Sequence, residues 1–338
     1  MNHRVVWLET GQSFEVAAGE AVLEAALRGE IALPHECQFG GCGTCRIKLV
    51  EGAVGYTSED GEAGELPMGL SPEEAEAGYA LACQARPTSD LVISVAPPLA
   101  CSSPTLLSAT VEGVQALTPD VTHLRLRLPA DAELVYRPGQ YMNVQLGDGR
   151  HRSFSMASRP NGGTVDFHVR RIPGGTFTEQ HLAALRAGQT LDVEMPHGNF
   201  CFHAEDYRPL VMVATGTGLA PIKSMLEALM DDEDCPPVSL YWGMRTEADL
   251  YLHDEIQTWA DRLYEFQYVP VLSRASDSWT GRRGYVQDAV LADLPDLSEH
   301  AIYLCGSPTM IADAKVAFAA RGASMDHLYA DSFVFQMV

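Results

Sequence analysis

Apolar and polar positions follow three different patterns in three successive segments of the chain. From about residue 206 onward, short apolar runs alternate with stretches whose apolar residues recur at helical spacing. The apolar runs lie at 210–214, 238–242, 266–272 and 301–305, and the helical stretches at 221–230, 253–263, 286–294 and 308–321. Strands that alternate with helices are typical of a parallel sheet with crossover helices, so we predict an α/β domain over residues 206–338.

Residues 104–205 carry closely spaced strand patterns instead. Apolar and polar residues alternate over 121–128, 141–146 and 165–169. Gly, Pro or Asp residues bound each run, which predicts a small antiparallel β-barrel. Residues 97–103 contain two prolines and two serines, and a further proline follows them, so we interpret this stretch as a linker.

The first segment, residues 1–96, combines both patterns. A hairpin is predicted from 5–8 and 14–16 around a Thr-Gly turn, and a helix over 21–27 ends at Gly29. The segment has 5 Lys and Arg against 15 Asp and Glu, which gives a net charge of −10. Eight of these acids lie within residues 51–76. They are interpreted as a solvated loop or, alternatively, as a docking face for a partner protein.

Composition limits the classes of function. The 338 residues carry 23 Lys and Arg against 45 Asp and Glu, for a net charge of −22. This acidic balance disfavours nucleic acid and anionic membranes, because basic patches bind both. No apolar run approaches the ~18 residues of a membrane span, so we expect a cytoplasmic protein. Its eight cysteines should then be mainly reduced, and clustered ones indicate metal ligands or redox groups.

Four cysteines form the most specific pattern in the chain. Cys37, Cys42 and Cys45 stand as C-x4-C-x2-C, and Cys83 follows alone. This is the spacing of a plant-type [2Fe–2S] cluster. The glycines between the first three are Gly40, Gly41 and Gly43. They permit a tight loop and let backbone N–H groups approach the sulfurs. Structural zinc is the alternative, but it usually takes two C-x2-C pairs.

With these cysteines in place, residues 1–96 resemble a β-grasp-like ferredoxin domain. The whole chain resembles the ferredoxin–flavin–nicotinamide reductase components of bacterial oxygenases, of the benzoate dioxygenase reductase type within the ferredoxin-NADP reductase superfamily. The resemblance implies three cofactors, namely a 2Fe-2S cluster, FAD and NADH.

A second motif, Arg152-Ser153-Phe154-Ser155, matches the Arg-x-Tyr-Ser pattern of that family except at Phe154. The resemblance implies that Arg152 pairs with the flavin pyrophosphate, that Phe154 packs on the isoalloxazine and that Ser155 lies near N5. Two further family pieces follow and are expected to bind the flavin. They supply His168, Val169, Arg170, Gly175, Thr176 and Thr178. The second piece should begin a helix at Phe177 whose N–H groups hold the pyrophosphate.

Three loops follow predicted strands of the α/β domain, where open sheets bind their ligands. They contribute Gly216, Thr217, Gly218, Ala220 and Pro221, then Gly243 and Arg245, then Cys305, Gly306, Ser307 and Pro308. These residues are expected to bind the nicotinamide dinucleotide, because glycines let the backbone approach a pyrophosphate.

The resemblance also implies catalytic roles for Ser155, Cys305, Asp331 and Phe333. Cys305 would lie beside the nicotinamide C4 position, and Asp331 stands where plant-type reductases often have Glu. Phe333 matches the aromatic residue that covers the flavin face, although a docked apolar tail is the alternative. Cationic residues at 274, 282 and 283 could hold a 2′-phosphate, so NADPH remains possible although NADH is favoured.

We therefore predict an NAD(P)H-dependent electron-transfer reductase. Electrons would pass from NADH to FAD, then singly to the cluster, and then by transient docking to a Rieske-type aromatic-ring dioxygenase. Two alternatives keep the reductase and change its partner to a di-iron monooxygenase or a deoxysugar dehydratase. A third is a non-enzymatic flavin and iron–sulfur redox sensor.

Overall fold

A computed structural model describes residues 2–35, 37–56, 64–95, 104–130, 132, 136–147 and 149–334. The predicted linker at 97–103 and part of the acidic stretch, 57–63, lie outside these residues. Three sheets organise the described chain, so the predicted three-part fold class is confirmed. The exact domain boundaries stay predictions. None of the described helices combines the length and the apolar character that a membrane span requires.

The N-terminal domain is built on a five-stranded mixed sheet in the order β2-β1-β7-β3-β5. Its elements are β1 (His3–Trp7), β2 (Ser13–Val16), α1 (Val22–Arg28), β3 (Arg46–Glu51), β4 (Val54–Gly55), α2 (Pro72–Glu76), β5 (Tyr79–Leu81), β6 (Arg86–Pro87) and β7 (Leu91–Ser94). The predicted hairpin is the antiparallel β1–β2 pair. Buried residues of α1 pack with Val5, Trp7 and Ile93 of the sheet, as the alternating pattern of these strands requires.

The barrel domain is a six-stranded antiparallel sheet in the order β11-β10-β13-β8-β9-β12. Its elements are β8 (Thr105–Ala116), β9 (Val121–Arg127), β10 (Tyr141–Gln145), β11 (His151–Ser155), β12 (Thr164–Arg170), α3 (Leu182–Ala184) and β13 (Thr190–His197). A bridge between Met156 and Phe167 brings the two outer strands together. The sheet therefore curves closed around its apolar core, as the sequence predicts.

The C-terminal domain is a six-stranded parallel sheet in the order β17-β16-β15-β14-β18-β19. Its elements are β14 (Leu210–Thr215), α4 (Leu219–Leu229), β15 (Val238–Met244), α5 (His253–Gln257), β16 (Gln267–Leu272), β17 (Arg282–Arg283), α6 (Val286–Asp293), β18 (Ala301–Gly306), α7 (Pro308–Ala319) and β19 (Leu328–Ser332). Met212 packs on the side of α4, whereas Val213 packs on the side of α6 and α7. Both faces of the sheet are covered, which explains the continuous apolar runs of its strands.

Candidate functional site

The cluster loop, residues 37–45, lies between α1 and β3, and Cys83 follows β5. Because β3 pairs with β5 so that Arg46 lies opposite Leu81, the two chain segments bring Cys45 and Cys83 together. Their sulfurs are 3.2 Å apart, and the Cys42 N–H donates to Cys37 Sγ at 3.4 Å. All four thiols are free of disulfide bonds. The fold thus joins a cysteine 38 positions away in sequence to the loop.

Hydrogen bonds in the loop favour the thiolate form of Cys37 and Cys83, whereas the bond to Cys83, together with burial, raises the pKa of Cys45. A bond from the Cys42 side chain lowers the pKa of Cys37 to about 5, assisted by backbone N–H groups of Cys42, Phe39 and Gly41. A bond from Cys45 lowers the pKa of Cys83 against the effect of burial, and the Gly40 N–H assists. Thiolates are the form that binds metals.

The thiols are arranged as two pairs, Cys37 with Cys42 and Cys45 with Cys83. In the described part of the chain, no three His, Cys, Asp or Glu side chains converge as they would on one metal ion. Two pairs suit a centre with two irons and four thiolate ligands, so these residues fit a [2Fe–2S] cluster better than a single zinc ion.

Glycine is required in the cluster loop. Gly40 has φ of +80°, and a Cβ there would lie 2.9 Å from side-chain carbons of Pro67 and Gln84. Gly43 has φ of +81°. Any larger residue would force the loop away from its neighbours, as the sequence pattern suggests.

The flavin motif lies on β11, an outer strand of the barrel sheet that pairs with β10. Ser153 Oγ donates to Asn143 Oδ1 at 2.7 Å, and the ring centroid of Phe154 is 5.2 Å from that of the buried Phe177. Arg152 donates to the His151 carbonyl at 2.8 Å. Among the described residues, no acidic side chain pairs with the Arg152 guanidinium, which leaves its charge available for an anion.

The helix predicted to begin at Phe177 begins one residue earlier, at Thr176, and its first turn is a π-helix. Residues Thr176–His181 form a π-helical turn that continues into α3. Thr178 Oγ1 accepts the Ile172 N–H at 3.1 Å, and a Cβ on Gly175 would lie 2.6 Å from this oxygen. The hydroxyl therefore shapes the turn, and Gly175 allows the close approach.

His168 and Val169, from the other predicted flavin piece, are buried on β12, whereas Arg170 is exposed. The Val169 side chain belongs to the barrel core. His168 Nδ1 lies 3.3 Å from the Tyr251 hydroxyl of the C-terminal domain. Burial lowers the pKa of His168 to about 3, so its ring is neutral. The structure thus places His168 at a domain interface.

Two of the predicted nicotinamide loops touch at the carboxyl edge of the parallel sheet. A Cβ on Gly218 would lie 2.3 Å from the Cys305 carbonyl oxygen, and Gly306 has φ of +128°. Thr215 Oγ1 accepts the Ser307 N–H at 2.9 Å, a contact that sequence reasoning missed. The ends of β14 and β15 and the last loop border a cavity of about 360 Å³, lined by Thr215, Gly243, Ser273, Ser307 and Asp313 among others.

Not every predicted nicotinamide residue is accessible. Thr217, Ala220 and Pro221 are buried, so they shape the loop and the first turn of α4. Arg245 lies 3.3 Å from Asp120 of the barrel domain and 3.9 Å from Asp249. Arg245 therefore forms ion pairs both with the barrel domain and within its own domain.

The proposed catalytic residues Cys305 and Asp331 face each other because β18 and β19 pair them in register. Cys305 Sγ is 3.9 Å from Asp331 Oδ2. Burial raises the pKa of Asp331 to about 6 and keeps the Cys305 thiol protonated by raising its pKa. Phe333 donates its N–H to the Gly306 carbonyl at 2.8 Å and packs half-buried against the domain core.

A junction cavity of about 330 Å³ is bordered by all three domains. Its lining includes Cys42 and Gly43 of the cluster loop, Gly139 and Tyr141 of the barrel, and Tyr329 and Asp331 of the C-terminal domain. Tyr329 and the strand that carries it were absent from the sequence prediction. The cluster loop, the residues leading into β10 and the strand of Asp331 therefore share one space.

Comparison with known proteins identifies the three domains. Residues 5–88 match the 2Fe-2S iron-sulfur cluster binding domain, 108–202 the oxidoreductase FAD-binding domain and 212–316 the oxidoreductase NAD-binding domain. These matches confirm the predicted cofactors.

Similar proteins span nearly the whole chain. It is 35% identical over 328 residues to the CDP-6-deoxy-L-threo-D-glycero-4-hexulose-3-dehydrase reductase of Yersinia pestis, covering 96% of each protein. It is 33% identical over 340 residues to reductase component 1 of terephthalate 1,2-dioxygenase from Comamonas sp, covering 98% of each. It is 36% identical over 333 residues to the xylene/toluene monooxygenase electron transfer component XylA of Pseudomonas putida, covering 96% of this chain and 91% of that one.

Among solved structures, the Amycolatopsis cytochrome P450 reductase GcoB is 31% identical, with a TM-score of 0.71 and coverage of 98% of each chain. The predicted oxidoreductase activity is confirmed by these relatives. The chain therefore belongs to the family of electron-transfer reductases in which a 2Fe-2S domain, an FAD-binding domain and an NAD-binding domain follow one another in one polypeptide.

Proposed function

We propose that this reductase passes electrons from NADH by way of FAD and the 2Fe-2S cluster to a Rieske-type aromatic-ring dioxygenase. The observation that carries the proposal is the junction cavity, which is lined by the cluster loop, the barrel and the strand of Asp331. When bound, FAD accepts electrons from NADH in pairs and releases them singly, and the cluster carries one electron at a time.

The flavin is proposed to bind along β11. The Arg152 guanidinium pairs with no acidic side chain among the described residues, and it suits a pyrophosphate because planar guanidinium donors bind such groups in pairs. Phe154, supported by Phe177, offers a ring for the isoalloxazine, and Ser155 offers a hydroxyl. The backbone of Gly175, Thr176 and Thr178 is the proposed second anchor, supported by the packing of His168 and Val169 and by exposed Arg170.

The dinucleotide is proposed to bind at the carboxyl edge of the parallel sheet. Gly216 leaves space beside the backbone of the first loop, Gly218 and Gly306 let the first and last loops pack closely together, and Ser307 ends the last loop. Cys305 would exclude water beside the reacting carbon, and the Asp331 carboxylate would favour positive charge on the nicotinamide ring. Pro308 begins α7 directly after this loop.

Hydrogen bonding and charge pairing favour NADH over NADPH. Arg282 is paired with Asp293, and Arg283 donates to the carbonyls of Ala275, Ser276 and Trp279. Two of the three cations named as candidates for a 2′-phosphate therefore already have partners within the protein, and Arg274 is the third.

The partner is inferred from the surface around the cluster loop and from the relatives. Phe39 is 51% exposed and Met68 is 74% exposed, and Pro67, beside Met68, packs on the loop. An apolar patch within an acidic domain suits a transient partner with a basic rim. A Rieske-type dioxygenase is favoured by the terephthalate relative, whereas other relatives serve a monooxygenase and a deoxysugar dehydrase. The free cysteines suit a reducing, cytoplasmic compartment.

Anaerobic titration of the holoprotein tests the electron route. NADH should bleach the flavin and then the cluster, and NADPH should do so much more slowly. Flavin that stays oxidised with both nucleotides would contradict the proposal and favour a redox sensor. Coupled turnover with purified partners tests the rest: electrons accepted only by a di-iron hydroxylase or a deoxysugar dehydrase would exclude the Rieske partner.

A further inference from the structure

A buried ion pair joins the N-terminal domain to the C-terminal domain. Glu74 of α2 has a side chain with 0% exposure, and Lys315 of α7 has one with 6%. Lys315 Nζ lies 3.0 Å from Glu74 Oε2. Buried charges are costly unless they are paired and hydrogen-bonded, so only a narrow range of placements of the two helices is compatible with this contact.

Arg46 is the third member of this group of charges, and it binds the other oxygen of the Glu74 carboxylate. Its NH1 lies 2.6 Å from Glu74 Oε1, and its NH2 donates to the Leu328 carbonyl at 3.0 Å. Burial raises the pKa of Glu74, but the charges of Lys315 and Arg46 more than offset this, so its pKa lies below the ordinary value. The carboxylate therefore stays ionised and bridges two cations.

Both cations are also connected to the cluster loop. Arg46 follows Cys45 directly, and Lys315 Nζ lies 3.4 Å from the Gly69 carbonyl oxygen. The Gly69 N–H donates to the Gly40 carbonyl at 2.8 Å, and a Cβ on Gly69 would lie within 3.0 Å of backbone atoms of the cluster loop. Gly69 packs directly against the cluster loop, so a displacement of Lys315 that carries Gly69 with it also displaces the loop.

The same two elements of the C-terminal domain lead to the nicotinamide site. Helix α7, which carries Lys315, begins at Pro308 directly after the Cys305–Ser307 loop. Strand β19, whose first carbonyl is held by Arg46, carries Asp331. Helix α7 and strand β19 therefore contact the cluster loop region and also continue into the proposed dinucleotide site.

We propose that Lys315 is a positioning residue for electron delivery to the cluster, because with Glu74 it sets the placement of the cluster loop relative to the flavin and dinucleotide sites. The inference rests on the proposed electron route. Electron transfer between two centres weakens steeply with their separation, so a small displacement of the loop is sufficient to slow it.

The test variant is Lys315→Met, which removes the Lys315–Glu74 bond but leaves Glu74 paired with Arg46 and Arg46 bonded to the Leu328 carbonyl. The matched control is Lys48→Met, since Lys48 pairs with Asp326 across the same interface but both side chains are substantially exposed. Stopped-flow spectroscopy of the anaerobic holoproteins with NADH follows flavin and cluster absorbance separately. Lys315→Met should reduce its flavin at the wild-type rate and its cluster about tenfold more slowly. Lys48→Met should match wild type in both.

A merely structural role would lower the melting temperature or the cofactor content without slowing reduction of each remaining cluster. Cluster reduction at the wild-type rate in Lys315→Met with full cofactors would overturn the inference. If that variant does not retain its cofactors, Glu74→Gln is measured in the same way, and a wild-type rate there overturns it equally. Wild-type protein whose cluster stays oxidised while its flavin is reduced would contradict the electron route itself.

Discussion

Sequence spacing indicates the proposed cluster ligands, whereas strand pairing brings the proposed catalytic acid Asp331 beside Cys305. The spacing of Cys37, Cys42 and Cys45 is local, so the sequence alone predicts that they share one centre. Asp331 carries no local signal, and resemblance alone singled it out. Its carboxyl lies 3.9 Å from Cys305 only because two strands pair in one register, and its raised pKa follows from the surrounding protein.

Replacing Asp331 with Asn should raise stability at neutral pH. The folded-state pKa of about 6 lies above the ordinary value of 3.8, so between these values the folded protein binds more protons than the unfolded chain. Wild-type stability contributed by this group therefore falls as pH rises through that window. Asp331→Asn stays neutral, so it should melt higher than wild type at about pH 7.5, by a margin that narrows to roughly half at pH ~5 and disappears only below the unfolded value.

Differential scanning calorimetry at the two pH values measures this difference. The same variant should oxidise NADH several-fold more slowly at neutral pH, because it lacks the carboxylate. Equal melting temperatures at both pH values would show that the Asp331 carboxyl is not desolvated in the folded protein.

Elements determine where the dinucleotide loops lie. The predicted alternation of strands and helices placed these loops at one edge of the sheet, and the six parallel strands confirm it. The predicted helix over 253–263 is shorter: α5 ends at Gln257 and a 3₁₀ turn, Thr258–Asp261, follows. The Thr258 hydroxyl donates to the Glu255 carbonyl, a competing local bond that helical periodicity does not reveal.

Substitution of Gly218 with Ala should weaken dinucleotide binding. The added Cβ would lie 2.3 Å from the Cys305 carbonyl oxygen, so the first and last loops must move apart. We expect KM for NADH to rise about tenfold while the FAD content stays unchanged. Gly113→Ala is the matched control, because nothing lies within 4 Å of the added carbon there. Steady-state ferricyanide reduction measures both variants, and an unchanged KM in Gly218→Ala would contradict the proposed loop geometry.

The whole molecule brings the three cofactor domains around one junction. Arg245 contacts Asp120 of the barrel domain, and His168 of the barrel contacts Tyr251 of the C-terminal domain. Both residues were expected to bind cofactors, yet both are engaged at domain interfaces. Their partners lie more than 80 positions away in sequence, beyond the reach of any motif.

The order of the domains predicts the effect of removing one cluster ligand. Cys83→Ser should lose the cluster but retain NADH-driven reduction of ferricyanide, since the flavin reduces that dye directly. Cys235→Ser, a buried free thiol in the C-terminal domain, is the control and should keep its iron. Iron content and dye reduction are measured together, and loss of dye reduction with flavin still bound would refute the proposed electron order.

The sequence by itself determined the domain order, the proposed cluster ligands and the strands that carry the proposed dinucleotide loops, because each depends on local spacing or on periodicity along one element. Tertiary structure alone decided the junction cavity, the pairing of Cys305 with Asp331 and the contact of Lys315 with Glu74. These depend on strand register and on domain packing, which bring together residues that are distant in sequence and follow no periodic spacing.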